Sequence, residues 1–284
     1  MNIYSIAVNI HDHNTYDGTF HNQIERHNRI KHNLNPENSH DEEPSRQFFC
    51  EHFLSNYLDK EELFAFTVSN LGQQFVIDLL EDSLPNMDFL KFKPKGLWDY
   101  YKTDTYYYID HHQSHAIYAK FSSGFAQSDI LAIDGRGLHY NCLFFDKNGN
   151  ITDLSKKMGI GILWDNLAKM LGFGRLGAGK LMGLAAYGNY SLKVHTFLDY
   201  YWDNKFSYPE KSLSEHSKLI SIQNEKKEDI AYTLQYATEE RIAEFIHPLK
   251  TCDNICIAGG VAYNGYMNEE FTKHYKCLCP TGSR

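Results

Sequence analysis

Side chains with the donor atoms of a metal site lie close together in the middle of the sequence. The segment HHQSH places His111 and His115 four residues apart, and Asp134 follows the next predicted strand. Residues at i and i+4 of a helix share one face about 5 to 6 Å apart, so both imidazoles can reach one divalent ion. His112 is three residues from His115 and also meets the requirement, so spacing leaves this choice open. Imidazole suits iron, zinc or copper, and the Asp134 carboxylate can complete a face of two histidines and one carboxylate.

Glycine follows two predicted strands, where a backbone can approach a nucleotide. Gly135 comes shortly after the apolar run 129–133, and Gly259 with Gly260 comes directly after 254–258. Glycine allows close approach of the backbone to a phosphate or sugar, and its N–H groups can point at the anion. One such turn is weak evidence. Two of them, in a chain of alternating strands and helices, are typical of nucleotide-binding actin-like folds.

The stretch GRLGAGKL, residues 174–181, spells the GxxxxGK pattern of a P-loop without its context. Leu181 stands where Ser or Thr must hold Mg²⁺, and the preceding segment 162–171 predicts a helix rather than a buried strand. We therefore interpret residues 179–188 as a glycine-rich loop near an anion, with Lys180 as a phosphate contact.

Apolar periodicity predicts the elements that position these residues. Strands are predicted over 3–8, 64–68, 105–109, 129–133 and 254–258, and a hairpin joins 143–145 to 151 around the turn Lys147-Asn148-Gly149-Asn150. Helices are predicted over 45–57, 111–121, 162–171, 229–246 and 262–274, and a loop over 33–43. Strands, glycine turns and helices alternate, which predicts an α/β class with a mixed sheet.

Bulk properties predict a globular cytoplasmic protein without a membrane partner. Of 284 residues, 42% are hydrophobic and 23% charged, an ordinary balance for a soluble domain. No apolar run approaches the roughly 18 residues that span a bilayer, and the first residues lack the pattern of a signal peptide. The 6 cysteines show no metal-binding spacing, which favours reduced thiols. A net charge of −8 argues against a broad electrostatic grip on nucleic acid.

Five segments resemble, in order, the O-carbamoyltransferase family of the nodulation-factor and antibiotic type. They are ERHNRIKH (25–32), HHQSHA (111–116), LAIDGRG (131–137), GKLMGLAAYG (179–188) and AGGVAYNGYMN (258–268). The N-terminal domain of that family is similar to tRNA threonylcarbamoyladenosine synthases and has the actin-like ATPase (ASKHA) fold. The resemblance implies an α/β chain of mixed sheets flanked by helices, with approximate halves 1–125 and 126–284.

The resemblance also implies roles for individual residues. It implies that iron, or another divalent metal, is bound by His111, His115 and Asp134, which resolves the choice between His111 and His112. It implies that the nucleoside or phosphate side of a carbamoyl-adenylate is contacted by Gly259, Gly260 and Asn264. With the residues discussed above, the expected nucleotide contacts are Gly135, Lys180, Gly259, Gly260 and Asn264, and Mg²⁺ is a further expected companion of ATP.

His11 and Lys31 are implied to lie near the carbamoyl group as catalytic residues. His11 is the candidate base for the attacking hydroxyl. The first motif here, NIHDHN, departs from the glycine- and serine-containing version of the family.

The implied reaction starts from carbamoyl phosphate and ATP, passes through a carbamoyl-adenylate, and ends on a hydroxyl of a small molecule, a nucleotide or a modified DNA base. Full-length relatives continue past the region of Cys279 to Arg284 with a further aspartate ligand and a YrdC-like domain. The sequence is therefore expected to be incomplete at its C-terminus and to lack the YrdC-like domain, and a second chain is an expected partner. Two other interpretations stay open: a tRNA threonylcarbamoyl transferase-like enzyme, and a nucleotide-binding subunit of a split carbamoyltransferase.

Overall fold

A computed structural model describes residues 4–8, 14–16, 21–23, 64–68, 81, 84, 86–174, 177–204 and 222–281. The chain divides into two compact units, Met1–Pro94 with Asp99–Ser114, and Lys95–Trp98 with His115–Arg284. Each unit contains one mixed β-sheet, and each is described by itself.

The sheet of the first unit has six strands among the described residues. They are β1 (Tyr4–Val8), β2 (Asn14–Tyr16), β3 (His21–Gln23), β4 (Phe64–Val68), β5 (Tyr101–Lys102) and β6 (Tyr106–Tyr108), in the order β3-β2-β1-β4-β6-β5. Strands β1, β2 and β3 form an antiparallel meander, and β4 and β6 continue the sheet parallel to β1. Phe66 of β4 packs against the rings of Phe89, Tyr106 and Tyr108. Two tyrosines of β6 therefore belong to the core of this unit.

The sheet of the second unit repeats this connectivity. Its strands are β7 (Asp129–Ile133), β8 (Cys142–Phe145), β9 (Ile151–Asp153), β10 (Asn254–Ala258) and β11 (Cys277–Thr281), in the order β11-β10-β7-β8-β9. Again an antiparallel meander, β7 to β9, is extended by two parallel strands, β10 and β11. The predicted α/β class with mixed sheets is confirmed.

Six α-helices accompany these sheets in the described ranges. They are α1 (His111–Ser123), α2 (Ile160–Met170), α3 (Ala178–Ala185), α4 (Leu192–Asn204), α5 (Lys227–Phe245) and α6 (Gly265–Thr272), with short 3-10 helices at Asp88–Lys91, His247–Leu249 and Gly260–Tyr263. The predicted helices over 111–121, 162–171 and 229–246 are confirmed as α1, α2 and α5.

Strand β7 carries apolar side chains to both faces of the second sheet, and all five of its residues are buried. Leu131 and Ile133 join a core cluster that includes side chains of α2 to α6. Ile130 and Ala132 join a second cluster on the opposite face, with Ala116 of α1. Alternation along a strand therefore fixes which helices cover which face.

The prediction of a glycine-rich loop over residues 179–188 is wrong. Residues Ala178–Ala185 form α3, whose Leu181 and Ala185 lie four residues apart and are buried in the core. Alanine, leucine and methionine favour helix, and burial of this apolar face outweighs the cost of two glycines. The helix α2 that precedes this segment agrees with the rejection of a P-loop.

Gly188 shows why the end of this segment is tightly constrained. A β-carbon at Gly188 would lie 1.9 Å from the carbonyl oxygen of Glu228, in the first turn of α5. The residue after Gly188 also contacts the start of α5, since the Asn189 amide donates to Asp229 Oδ1 at 2.8 Å. The glycines of GKLMGLAAYG thus include one required for helix docking.

The last predicted helix begins later than residue 262. Residues Gly260–Tyr263 form a 3-10 turn, and α6 starts at Gly265 because the Asn264 side chain caps it. His11, Lys31, the segment 25–32, the loop 33–43 and the helix over 45–57 lie outside the described residues. Among the helices that the structure describes, none is long and apolar enough to cross a bilayer.

Candidate metal and nucleotide site

A buried aspartate sets the start of α1. Asp110 Oδ1 accepts the amide of His112 at 2.9 Å, and the Asp110 carbonyl accepts the amide of Ser114 at 2.8 Å. Aspartate is a preferred N-cap because its side chain satisfies amides that the first helical turn leaves unpaired. The helix therefore begins at His111, which places His111 and His115 one turn apart on one face.

Packing of α1 brings His115 to the end of β7. Ala116 and Ala119 of α1 lie in one core cluster with Ile130 and Ala132 of β7. His115 Nε2 then lies 3.3 Å from an oxygen, Oδ2, of Asp134, the residue directly after β7.

One ligand atom from each of His111, His115 and Asp134 lies within 4.8 Å of the others. His111 and His115 are buried at 7% and 9% exposure, and the Asp134 side chain is 25% exposed. His112 is fully buried and does not belong to this group, although its ring lies 5.3 Å from that of His111. The structure thus brings together the three residues that the sequence indicated, with His111 rather than His112.

The donor set fits a divalent transition metal. Imidazole nitrogens and carboxylate oxygens bind such ions at about 2.0 to 2.2 Å, so two ligands on one ion lie roughly 3 to 3.5 Å apart. The 3.3 Å separation of His115 and Asp134 already has this value. A two-His, one-carboxylate face leaves the remaining coordination positions open to substrate or water.

The Asp134 carboxylate is oriented by the backbone beside it. Its Oδ1 accepts the amide of Gly135 at 2.6 Å, which leaves Oδ2 directed at His115. The Gly135 amide, which the sequence analysis assigned to the nucleotide, thus donates to the carboxylate of the candidate metal ligand. A hydrogen bond to a ligand carboxylate fixes its orientation, and such support commonly matters for metal affinity.

Three glycines crowd the peptide around Asp134. A β-carbon at Gly259, where φ is 96°, would lie 2.2 Å from the carbonyl oxygen of Ile133. One at Gly260 would lie 2.8 Å from Asp134 Oδ1, and one at Gly161 would lie 2.7 Å from the amide of Gly135. Because β7 and β10 pair in parallel, with Ala132 opposite Ala258, their carboxyl ends lie side by side. The two glycine turns predicted from the sequence therefore meet at one edge.

Gly161 is the residue of this group that the sequence analysis missed. It lies in the first turn of α2, where glycine is unfavourable by about 1 kcal/mol relative to alanine. A glycine inside a predicted helix is a signal of close backbone approach. The partner of that approach, the Asp134-Gly135 peptide, is visible only in three dimensions.

Asn264 and Lys180, the remaining predicted nucleotide contacts, do not lie against Asp134 in the way that the glycines do. Asn264 Oδ1 accepts the amide of Met267 at 3.0 Å, and its Nδ2 donates to Gln235 Oε1 at 2.9 Å. Asn264 is thus a buried cap that fixes the start of α6 just after Gly259 and Gly260. Lys180 is exposed on the first turn of α3.

Fold and site together define an actin-like α/β protein with a candidate metal centre beside a glycine-lined strand edge. Residues 45–276 match the family described as carbamoyltransferase N-terminus, and the chain belongs to that family. It is similar to nodulation protein NolNO of Sinorhizobium fredii, with 28% identity over 179 residues, covering 57% of this chain and 26% of that protein. It is also similar to nodulation protein NolO of Bradyrhizobium diazoefficiens, with 28% identity over 177 residues, covering 56% of this chain and 32% of that protein. The matched part is therefore about a third or less of the length of these relatives.

The fold is also found in a solved structure. The activator of the 2-hydroxyisocaproyl-CoA dehydratase from Clostridium difficile, with bound ADPNP, aligns with a TM-score of 0.51 at 12% identity, covering 98% of this chain and 88% of that one. At this identity the likeness supports the fold alone, and it confirms the predicted actin-like architecture.

Proposed function

We propose that this chain carries out the metal-dependent transfer of a carbamoyl group from a carbamoyl-adenylate to a substrate hydroxyl. The observation that carries the proposal is the convergence of His111, His115 and Asp134 in a member of the carbamoyltransferase family. Donors of these types in that number are suited to holding an ion with open positions next to a reacting carbonyl.

The reaction balances without an oxidant or reductant. The acceptor oxygen attacks the carbamoyl carbonyl carbon and a C–O bond forms. The bond between that carbon and the phosphate oxygen breaks, AMP leaves with the electron pair, and the hydroxyl proton goes to a base. A divalent metal held by these residues would supply Lewis acidity to the carbamoyl transfer.

Side chains and backbone of this chain have separate tasks in the proposal. Asp134, oriented by the Gly135 amide, and the two histidines of α1 hold the ion. Gly259 and Gly260 pack without β-carbons against Ile133 and Asp134, and the proposal assigns the backbone of this turn to contact with the adenylate. His11 as the base and Lys31 as a cation at the carbamoyl group remain proposals outside the described residues.

The proposed substrates follow from the same chemistry. Carbamoyl phosphate and ATP are the sources of the carbamoyl-adenylate, made by a further domain or by a second chain. The acceptor is a hydroxyl of a small molecule, a nucleotide or a modified DNA base.

The test is product analysis with the full chain. The chain is incubated with carbamoyl phosphate, ATP, a separately supplied adenylate-forming enzyme and a panel of alcohols and nucleotides, and products are read by mass spectrometry. We expect a carbamoylated product together with AMP, and loss of both in His115→Ala.

His195→Ala is the matched control, because His195 also lies beside carboxylates, 3.2 Å from Glu240 and 3.6 Å from Asp199, but on other elements. It should retain the product. Full activity of His115→Ala would contradict the proposal. A parallel arm with tRNA and threonylcarbamoyl-adenylate tests the threonylcarbamoyl transferase alternative; modification of tRNA alone would replace the O-carbamoyl proposal.

A further inference from the structure

A second group of metal-ligand side chains comes from residues before, within and after α6, and the proposed function does not use it. His247 belongs to the 3-10 helix that follows α5, whereas Glu270 and His274 lie at the end of α6 and just beyond it. One ligand atom from each lies within 4.8 Å of the others.

The two imidazoles of this group are already in contact. The rings of His247 and His274 stack with centroids 3.6 Å apart and an interplanar angle of 28°. One nitrogen of each ring lies within 4.8 Å of a nitrogen of the other, and two ligands at about 2.1 Å from one ion lie roughly 3.5 Å apart, so a small shift of the rings brings both nitrogens onto one ion.

Burial of one imidazole nitrogen points to a ligand. Nε2 of His247 is buried, and no described residue offers it a hydrogen-bond partner. A buried polar atom without a partner destabilises the folded chain, and a bound ion would remove that cost. His274 is 44% exposed at its side chain, so an ion can enter from solvent.

The carboxylate of the group has one oxygen directed at the imidazoles. Glu270 Oε1 lies 4.0 Å from His274 Nε2, while Oε2 is paired with the Lys273 ammonium. Glu270, and more weakly Glu239 and Glu269, raise the pKa of the Lys273 ammonium, so three carboxylates act on one lysine. The local charge therefore favours a further cation.

We propose that His247, Glu270 and His274 form a second metal site, which takes a divalent ion such as Zn²⁺. Two imidazoles and one carboxylate are ligands that Zn²⁺ accepts, with water in the fourth position. The ion would link the segment after α5 to the end of α6. This proposal does not depend on the proposed carbamoyl transfer.

The experiment is a zinc titration of the chelator-treated full chain by calorimetry. We expect two equivalents to bind to the unchanged chain, and His274→Ala to lose one of them. His115→Ala should lose the other equivalent, and the double variant both. His195→Ala is the control and should keep both equivalents.

The outcomes separate the two sites. One equivalent in the unchanged chain, lost in His274→Ala and kept in His115→Ala, would support the second site and contradict the first. The same number of equivalents in His274→Ala as in the unchanged chain would overturn the second site, as would an equal loss in His195→Ala.

A further variant keeps the test valid if His274→Ala does not fold. Lys273→Ala removes the ammonium that competes for Glu270, and its side chain is 61% exposed, so the fold should tolerate it. We expect this variant to bind zinc with a lower Kd. An unchanged or higher Kd would contradict the assignment of Glu270 as a ligand.

Discussion

Gly260 lies so close to Asp134 that a β-carbon at position 260 would be 2.8 Å from Oδ1 of the carboxylate. That oxygen accepts the Gly135 amide, so displacing it changes the direction of both oxygens. Glycine at 260 therefore maintains the geometry of a proposed metal ligand.

The first prediction is that Gly260→Ala weakens metal binding at the His111, His115 and Asp134 site. The added methyl group pushes the carboxylate away from His115, and misplacement of a ligand typically costs 10- to 100-fold in affinity. Calorimetry of the chelator-treated chain measures this. Gly265→Ala, where a β-carbon meets open space, is the matched control and should bind as the unchanged chain does. Equal affinities in all three proteins would contradict the prediction.

The second prediction concerns stability at the neighbouring glycine. Gly259→Ala combines a positive φ of 96° with a β-carbon 2.2 Å from the Ile133 carbonyl oxygen. Backbone strain alone costs about 1 to 3 kcal/mol, and the clash adds to it. Urea denaturation measures the free energy of unfolding.

Gly172→Ala is the control for Gly259→Ala, because its φ is 86° but a β-carbon there meets nothing within 4 Å. It should lose only about 1 to 2 kcal/mol, the ordinary cost of a left-handed backbone. If the two variants unfold at the same urea concentration, close approach of β10 to β7 does not constrain Gly259.

The third prediction is that Asp110→Ala destabilises the start of α1. It removes the acceptor for the His112 amide and should cost about 0.5 to 2 kcal/mol. Because His111 lies in that first turn, affinity for the metal should fall as well. Asp110→Asn keeps an acceptor oxygen and should recover most of the stability in urea denaturation; a loss as large as that of alanine would argue against capping as the cause.

The fourth prediction separates His111 from His112. His111→Ala should lose metal at the first site, because His111 belongs to the group of three and His112 does not. His112→Ala should lower the melting temperature, since a fully buried ring is removed, yet the folded protein should still bind the ion. Metal analysis of the two folded variants would show the opposite pattern if His112 were the ligand.

The strands at the site could be predicted from sequence because burial on both faces produces short, continuous apolar runs. The bounds of β7 and β10 match the predicted 129–133 and 254–258. The pair of histidines at i and i+4 could also be predicted from the sequence. The helix α1 begins directly after Asp110, which caps it.

Other features depend on contacts between distant parts of the chain. Residues 179–188 were predicted as a loop from their glycines, but the core that buries Leu181 and Ala185 favours a helix. The role of Gly161 against Asp134 cannot be recognised in a one-dimensional pattern.

The proposed second metal site was missed for the same reason. His247 and His274 are far apart in sequence, and the packing of α6 near the end of α5 brings their rings together. Sequence patterns find ligands that share one helix or directly follow a predicted strand, as His115 and Asp134 do, and they miss pairs such as His247 and His274 that only tertiary packing joins.

Metal dependence of the transfer step tests the central claim most directly. The chelator-treated full chain is given carbamoyl-adenylate and an accepted alcohol, and AMP release is followed as Fe²⁺ is added back. We predict that the metal-free chain releases little AMP, that activity returns with Fe²⁺, and that His115→Ala stays inactive at every concentration. Full AMP release and carbamoylated product from the metal-free chain would contradict the account.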